Sequence, residues 1–129
     1  YRVQGKTAKA AQELIDDARA LEDAGAFAIV LEVVPREIAR LITESIHIPT
    51  IGIGAGVHCD IQVLVLHDML GLSFGKQARF VHPYANLRQT ITDAVSRFAE
   101  DVRTGSYPSD QESYGLPAEA AEELKIERT

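Results

Sequence analysis

The stretch Phe27-Ala28-Ile29-Val30-Leu31-Glu32-Val33-Val34, which comes directly before Pro35, decides how this chain folds. Its length and its β-branched residues are typical of a buried strand. One carboxylate interrupts the stretch, and burying a lone charge costs far more than one strand position contributes. Glu32 therefore has a cationic or hydrogen-bonding partner, lies at the open end of the strand, or has an acidity changed by its surroundings. The last two explanations describe a catalytic carboxylate, whereas a final strand residue that points to water is the structural alternative.

Helical patterns lie on both sides of this strand. Thr7 is a suitable N-cap for a helix that Gly25 ends, and Pro35 suits the first turn of a second helix. The segment 50–53 then predicts a second strand, which a tight glycine loop follows. Asp60 predicts the cap of a third helix that ends near residue 68, although the β-branched run at 63–66 leaves a strand open.

The remaining pattern completes an alternation of helices and strands. Residues 78–81 predict a third short strand, and 87–102 predict a long helix that Gly105 ends. Alternation with short connections implies a parallel sheet, either doubly wound or part of a (β/α)8 barrel. Three strands in an open sheet would leave both edges unpaired. A barrel needs about 250 residues, so the 129 residues predict about half of one, with strands missing upstream of Tyr1.

Composition limits the class of protein. The formal net charge is −6 and the isoelectric point about 5.1, which argues against a general nucleic-acid or anionic-membrane binder. The single cysteine, Cys59, excludes an intrachain disulfide and a multi-cysteine zinc site, and it favours a reducing cytoplasm. No apolar run approaches the roughly 18 residues of a membrane span, and no signal peptide is recognisable.

Three features are predicted at the carboxyl ends of the strands, where parallel α/β folds bind ligands. They are Glu32, the glycine stretch 52–56 and His82. The glycine stretch lacks the Lys-Ser/Thr of a phosphate-binding loop, so a structural turn is the favoured interpretation. A metal site or a cysteine nucleophile could also be sought among His58, Cys59, Asp60, His67 and Asp68. A metal site is disfavoured because these residues have no recognised ligand spacing.

Several motifs occur in the order found in one enzyme family. They are Tyr1-Arg2-Val3-Gln4-Gly5, Val30-Leu31-Glu32-Val33-Val34-Pro35, Ile48-Pro49-Thr50-Ile51-Gly52-Ile53-Gly54-Ala55-Gly56 and Gln62-Val63-Leu64-Val65-Leu66-His67-Asp68, with Tyr107-Pro108 and Glu112-Ser113-Tyr114 nearer the end. Together, over about residues 1–114, they resemble the C-terminal half of the ketopantoate (3-methyl-2-oxobutanoate) hydroxymethyltransferases.

This resemblance implies a fold, a reaction and a site. The fold is the C-terminal half of a (β/α)8 TIM barrel, with barrel units in 1–105 and a polar tail in 106–129. The reaction is hydroxymethyl transfer from 5,10-methylenetetrahydrofolate to 3-methyl-2-oxobutanoate, which gives ketopantoate for coenzyme A. Glu32 matches the proton acceptor, which in this family forms an enolate of the keto acid stabilised by magnesium. The magnesium ligands and the substrate-contacting lysine are expected upstream of Tyr1, so no substrate-binding residue is assigned within this segment.

The resemblance also implies a cytoplasmic homo-oligomer, typically a decamer, and a partner in the missing N-terminal half. The segment alone is expected to be inactive. Two positions depart from the family pattern: Ile61 stands where the family has Gly, and 111–114 replaces a Glu-His-Ser-aromatic ending. Two alternatives remain. One is a magnesium-dependent keto-acid barrel of the phosphoenolpyruvate mutase and isocitrate lyase type, and the other is a non-catalytic half-barrel subunit for assembly.

Overall fold

A computed structural model of the chain describes residues 4–126. In chain order its elements are α1 (Ala8–Asp23), β1 (Ile29–Glu32), α2 (Arg36–Ser45), β2 (Thr50–Ile53), β3 (Ile61–Gln62), α3 (Leu66–Met69), α4 (Leu87–Thr104), a 3-10 turn (Asp110–Glu112) and α5 (Ala118–Glu123). The backbone forms two compact units, Tyr1–Leu87 and Arg88–Thr129.

The first unit contains a small parallel sheet in the order β1-β2-β3. Ile29 is paired with Thr50 and Glu32 with Ile53, so β1 and β2 end at the same edge. Ile61 in β3 is paired with Ile51 of β2. The predicted α/β class with a parallel sheet is therefore confirmed, and the half-barrel stays a prediction.

One face of this sheet is covered by α1 and α2. Ile29 and Leu31 point to that face and join a buried core with residues of both helices, including Ala18, Ala39 and Ile42. Local sequence explains the helices. The Thr7 side chain accepts a hydrogen bond from the Ala10 N–H and caps α1, as predicted. Pro35 immediately precedes α2, where its fixed φ suits the helix start.

The opposite face of the sheet is uncovered. Val30 is 60% exposed and Ile61 is 46% exposed, and both lie on this face in register with Ile51. Parallel sheets are normally covered on both faces. The described residues therefore leave an apolar sheet face without a packing layer.

Two predicted elements are wrong. Residues 60–68 do not form a helix capped by Asp60, and α3 begins only at Leu66. The strand alternative for 63–66 is also wrong, because the short strand β3 is Ile61–Gln62 and ends before that run. The Asp60 carboxylate is bonded to Thr50 in the neighbouring strand, so it does not cap a helix. Residues 78–81 form a turn closed by a hydrogen bond from the Val81 N–H to the Ala78 carbonyl, 3.0 Å. His82 therefore does not follow a strand.

The second unit consists mainly of α4, which continues two residues beyond the predicted helix and ends before Gly105. The side chains of its predicted apolar stripe beyond Leu87 are about half exposed: Ile91, Val95, Phe98 and Val102. The Phe98 ring packs edge-on to the Tyr107 ring with centroids 5.4 Å apart. Ser109 and Glu112 form a capping box around the 3-10 turn. Within residues 4–126, the helices are too short or too polar to cross a membrane.

Candidate functional site

An open cleft of about 840 Å³ lies at the carboxyl ends of β1 and β2. Its lining comes from the segments that follow these strands and from the turn near residue 80: Val33, Val34, Pro35, Arg36, Gly54, Gly56, Val57, Gln62, Arg79, Phe80 and Tyr84. Of the three predicted features, the glycine loop lines the cleft, and Glu32 is paired with Ile53 directly before that loop. His82 does not line the cleft, and its ring contacts that of Tyr84 with centroids 4.8 Å apart.

Glu32 is the last residue of β1 and is exposed on the uncovered face of the sheet. Within residues 4–126, no hydrogen bond or ion pair engages its carboxylate. Val33, the next residue, lines the cleft, although Glu32 itself does not. Glu32 thus lies exposed at the end of its strand, which fits both a catalytic carboxylate at an open strand end and the structural alternative of a final residue that points to water.

Val33 has a backbone conformation that the sequence did not predict. Its φ is +56°, which is unusual for a β-branched residue and costs on the order of 1–3 kcal/mol. Two backbone hydrogen bonds hold it: its N–H donates to the Ile53 carbonyl, 2.9 Å, and its carbonyl accepts from the Gln4 N–H, 3.2 Å. This turn directs the chain away from the sheet immediately after Glu32. No sequence signal marks it, because valine rarely adopts this conformation.

The glycine loop approaches two other segments too closely for side chains. Gly54 has a φ of +64°, and a Cβ there would lie 2.8 Å from Cδ1 of Phe80. Gly56 has a φ of +81°, and a Cβ there would overlap Cβ of Arg36. The Gln62 amide donates to the Gly56 carbonyl at 2.8 Å and holds the loop to β3. The glycine stretch therefore forms a tight, closely packed turn beside the cleft, as the favoured interpretation predicted.

A polar network lies where β2 and β3 begin. The buried Thr50 donates its backbone N–H, 2.8 Å, and its hydroxyl, 3.0 Å, to the Asp60 carboxylate. These two hydrogen bonds lower the pKa of Asp60, the backbone bond being the larger cause. Cys59 is buried beside this network, and burial raises the pKa of its thiol. A raised pKa disfavours the thiolate, so the structure does not support Cys59 as a nucleophile.

The described residues do not fit a metal ion. No group of three or more His, Cys, Asp or Glu side chains between residues 4 and 126 is close enough to hold one. The residues considered from the sequence, from His58 to Asp68, are thus not brought together as a ligand set. The ligands that the resemblance implies upstream of Tyr1 remain a prediction.

Comparison with known proteins identifies the family. A family model described as ketopantoate hydroxymethyltransferase matches residues 1–110. The chain belongs to the ketopantoate hydroxymethyltransferase family. A 3-methyl-2-oxobutanoate hydroxymethyltransferase of Koribacter versatilis is 55% identical over 126 residues, which cover 98% of this chain and 43% of that protein. The enzyme of the same name from Streptomyces coelicolor is 55% identical over 113 residues, covering 88% of this chain and 39% of the relative.

The chain covers only part of the length of each of these hydroxymethyltransferases. A third, from Carboxydothermus hydrogenoformans, is 51% identical over 124 residues, covering 96% of this chain and 45% of the relative. The chain thus spans less than half the length of these relatives and corresponds to their C-terminal portion. The recognition made from the sequence motifs is confirmed.

Proposed function

We propose that this chain is the C-terminal half of a (β/α)8-barrel enzyme that transfers a hydroxymethyl group from 5,10-methylenetetrahydrofolate to 3-methyl-2-oxobutanoate. Membership of the ketopantoate hydroxymethyltransferase family supports the reaction. The observation that carries the proposal is the position of Glu32, which ends β1 on the uncovered sheet face beside an open cleft.

The uncovered face supports the barrel. In a barrel, one face of every strand packs on the surrounding helices and the other points to the interior. Ile29 and Leu31 pack towards α1 and α2, whereas Val30 and Glu32 alternate with them on the open face. Additional strands beside β1 and β3 would bury Val30 and Ile61 and would place Glu32 at the mouth of the barrel. This is where barrel enzymes carry their catalytic groups.

The proposed role of Glu32 is proton acceptor. Its carboxylate removes the proton from C3 of the keto acid, and the electron pair of that C–H bond forms the enolate. The enolate carbon then attacks the methylene carbon of the co-substrate, forming a C–C bond as the first of the two C–N bonds of that carbon breaks. Water then replaces the second nitrogen, and its oxygen forms the C–O bond of the hydroxymethyl group. The proton that Glu32 removed and one proton of the water end on the two released nitrogens, so that one water molecule is consumed.

We propose that the complete enzyme also binds magnesium. The ion would be held by residues upstream of Tyr1, because residues 4–126 provide no ligand cluster. The same N-terminal half is the expected partner that completes the barrel. A homo-oligomer, typically a decamer, and a cytoplasmic location are proposed from the resemblance alone.

The test compares Glu32→Gln with the unchanged protein in the complete enzyme, meaning this chain together with the N-terminal portion that the longer relatives possess. NMR follows exchange of the C3 proton of 3-methyl-2-oxobutanoate for deuterium, which needs no folate. We expect exchange and ketopantoate formation to fall about 100- to 10,000-fold, the usual contribution of a general base. Glu13→Gln, which removes an exposed carboxylate on α1, is the matched control.

The outcomes separate the parts of the proposal. Normal exchange in Glu32→Gln would show that another group is the base. An unchanged protein that exchanges the proton but forms no ketopantoate would point to a different co-substrate. Absence of both reactions in the complete enzyme would favour a non-catalytic subunit.

A further inference from the structure

Ile53 is the residue that lies beside Glu32 in the sheet. The two residues end β2 and β1 and are paired with each other. Buried and half-buried residues alternate along β2, so that Ile53 shares the uncovered face with Ile51 and with Glu32. Because neighbouring strands lie about 4.8 Å apart, paired side chains on one face are within contact distance. The proposed base therefore has an aliphatic neighbour on the adjacent strand.

Ile53 is held in position from two sides. Its carbonyl accepts a hydrogen bond from the Val33 N–H at 2.9 Å, which keeps β1 and β2 aligned just past Glu32. The next residue, Gly54, has a φ of +64° and packs on the Phe80 ring so closely that a side chain would overlap it. A side chain carried by a strand end that is fixed in this way has little freedom to move aside.

The same face remains aliphatic below the carboxylate. Val30 precedes Glu32 by two residues, about 6.6 Å along the strand, and its side chain is 60% exposed on the uncovered face. It is paired with Ile51 of β2. The Glu32 carboxylate thus has Ile53 to one side and Val30 beneath it, and both present methyl groups to the same space.

The keto acid named in the relatives fits this arrangement. In 3-methyl-2-oxobutanoate, the carbon that carries the proton for Glu32 also carries two methyl groups. When that C–H bond points to the carboxylate, the methyl groups lie to its sides, one bond away from the reacting carbon. An aliphatic wall beside the base removes such a methyl group from water, which is favourable.

We propose that Ile53 is a specificity-determining residue, which contacts a methyl group at C3 of the keto acid and limits the size of the substituent there. The inference rests on the proposed function, because it requires Glu32 to remove the C3 proton. A larger substituent meets the isoleucine side chain, whose strand end does not yield. The C–H bond of a larger acid is then held away from the carboxylate, and its exchange is slower.

The test compares 3-methyl-2-oxobutanoate with 3-methyl-2-oxopentanoate, in which an ethyl group replaces one methyl group at C3. NMR follows exchange of the C3 proton of each acid in the complete enzyme. We expect kcat/KM for exchange to be at least about tenfold higher with the smaller acid, the lower end of the effect of one methylene in an apolar pocket. Ile53→Ala should bring this ratio towards one, and Ile53→Val should lower it by less. The ratio does not depend on the folded fraction of the enzyme, so a loss of stability alone leaves it unchanged.

Ile51→Ala is the matched control. It makes the same change on the same face of β2, two residues before Ile53 and opposite Val30, and should leave the ratio unchanged. The inference is overturned if the unchanged enzyme does not distinguish the two acids. It is also overturned if Ile51→Ala lowers the ratio as much as Ile53→Ala.

The remaining outcomes separate this inference from the proposed function. Exchange of both acids with the full preference retained in Ile53→Ala and Ile53→Val would overturn the inference alone. If Ile53→Ala is inactive with both acids, the ratio in Ile53→Val decides by the same criterion. Absence of exchange with both acids in the unchanged complete enzyme would overturn the proposed function and this inference together.

Discussion

Replacing Thr50 by valine should destabilise the protein without changing its shape. Thr50 is fully buried at the start of β2. Its hydroxyl donates to the Asp60 carboxylate at 3.0 Å, accepts from the Asp60 N–H at 3.2 Å, and lies 2.8 Å from the Thr43 hydroxyl. Valine has the same shape and can make none of these hydrogen bonds.

The expected loss follows from these contacts. Two or three hydrogen bonds at a net value of about 1 kcal/mol each give about 2–3 kcal/mol. The methyl group that replaces the hydroxyl offsets about 0.8 kcal/mol through burial. The free energy of unfolding should therefore fall by about 1.2–2.2 kcal/mol. The measurement is the urea midpoint of the complete enzyme by circular dichroism, at one fixed protein concentration.

Thr92→Val provides the comparison for Thr50→Val. The Thr92 hydroxyl donates to the Arg88 carbonyl at 2.8 Å on an exposed helix surface, so its loss should cost less than about 0.5 kcal/mol. The Asp60→Ala background provides a second check, because Thr50→Val should cost less once its main partner is absent. Equal losses in Thr50→Val and Thr92→Val would refute the argument that the buried network stabilises the sheet.

Two further predictions concern the same unit. The two hydrogen bonds from Thr50 lower the pKa of Asp60 in the folded protein, so the stability from its carboxylate is present above the unfolded-state pKa and is lost as pH falls through the folded-state pKa. The urea midpoint should therefore decline more steeply below about pH 5 in the unchanged protein than in Asp60→Asn; parallel declines would contradict this. Gly56→Ala should cost at least about 1 kcal/mol more than Gly75→Ala, since both glycines have a positive φ, +81° and +84°, but only Gly56 is packed against Arg36. Equal urea midpoints for these two variants would show that the Arg36 side chain moves aside without a measurable loss of stability.

Local sequence was sufficient for much of the fold. The Thr7 cap, the apolar run that ends at Glu32 and the glycine at 105 each act within a few residues of the element they define. The structure of residues 60–68 was not predictable in this way. Asp60 accepts a hydrogen bond from Thr50, ten positions earlier in a neighbouring strand, and no local sequence pattern indicates such a contact. Likewise, the short apolar pattern of 78–81 could not show whether a neighbouring strand was available for pairing.

Local sequence also indicated part of the candidate site. An acidic residue in an apolar run marks Glu32 directly, whereas the positive φ of Val33 opposes the preference of its own side chain. A second cavity, which is lined by Arg36, Glu37, Arg40 and His58, joins α2 to the loop after β2, and each of these residues looks like an ordinary surface residue in the sequence.

Buried and exposed side chains alternate along β1, and this alternation determines the direction in which the Glu32 carboxylate points. Leu31 is buried against the helices, and its neighbour Glu32 points the other way. A shift of one residue in β1 would exchange the two faces, burying the carboxylate among Ile42 and Ala39 and exposing leucine in its place. The direction of the Glu32 carboxylate is therefore fixed by the packing of aliphatic side chains on the opposite face of β1.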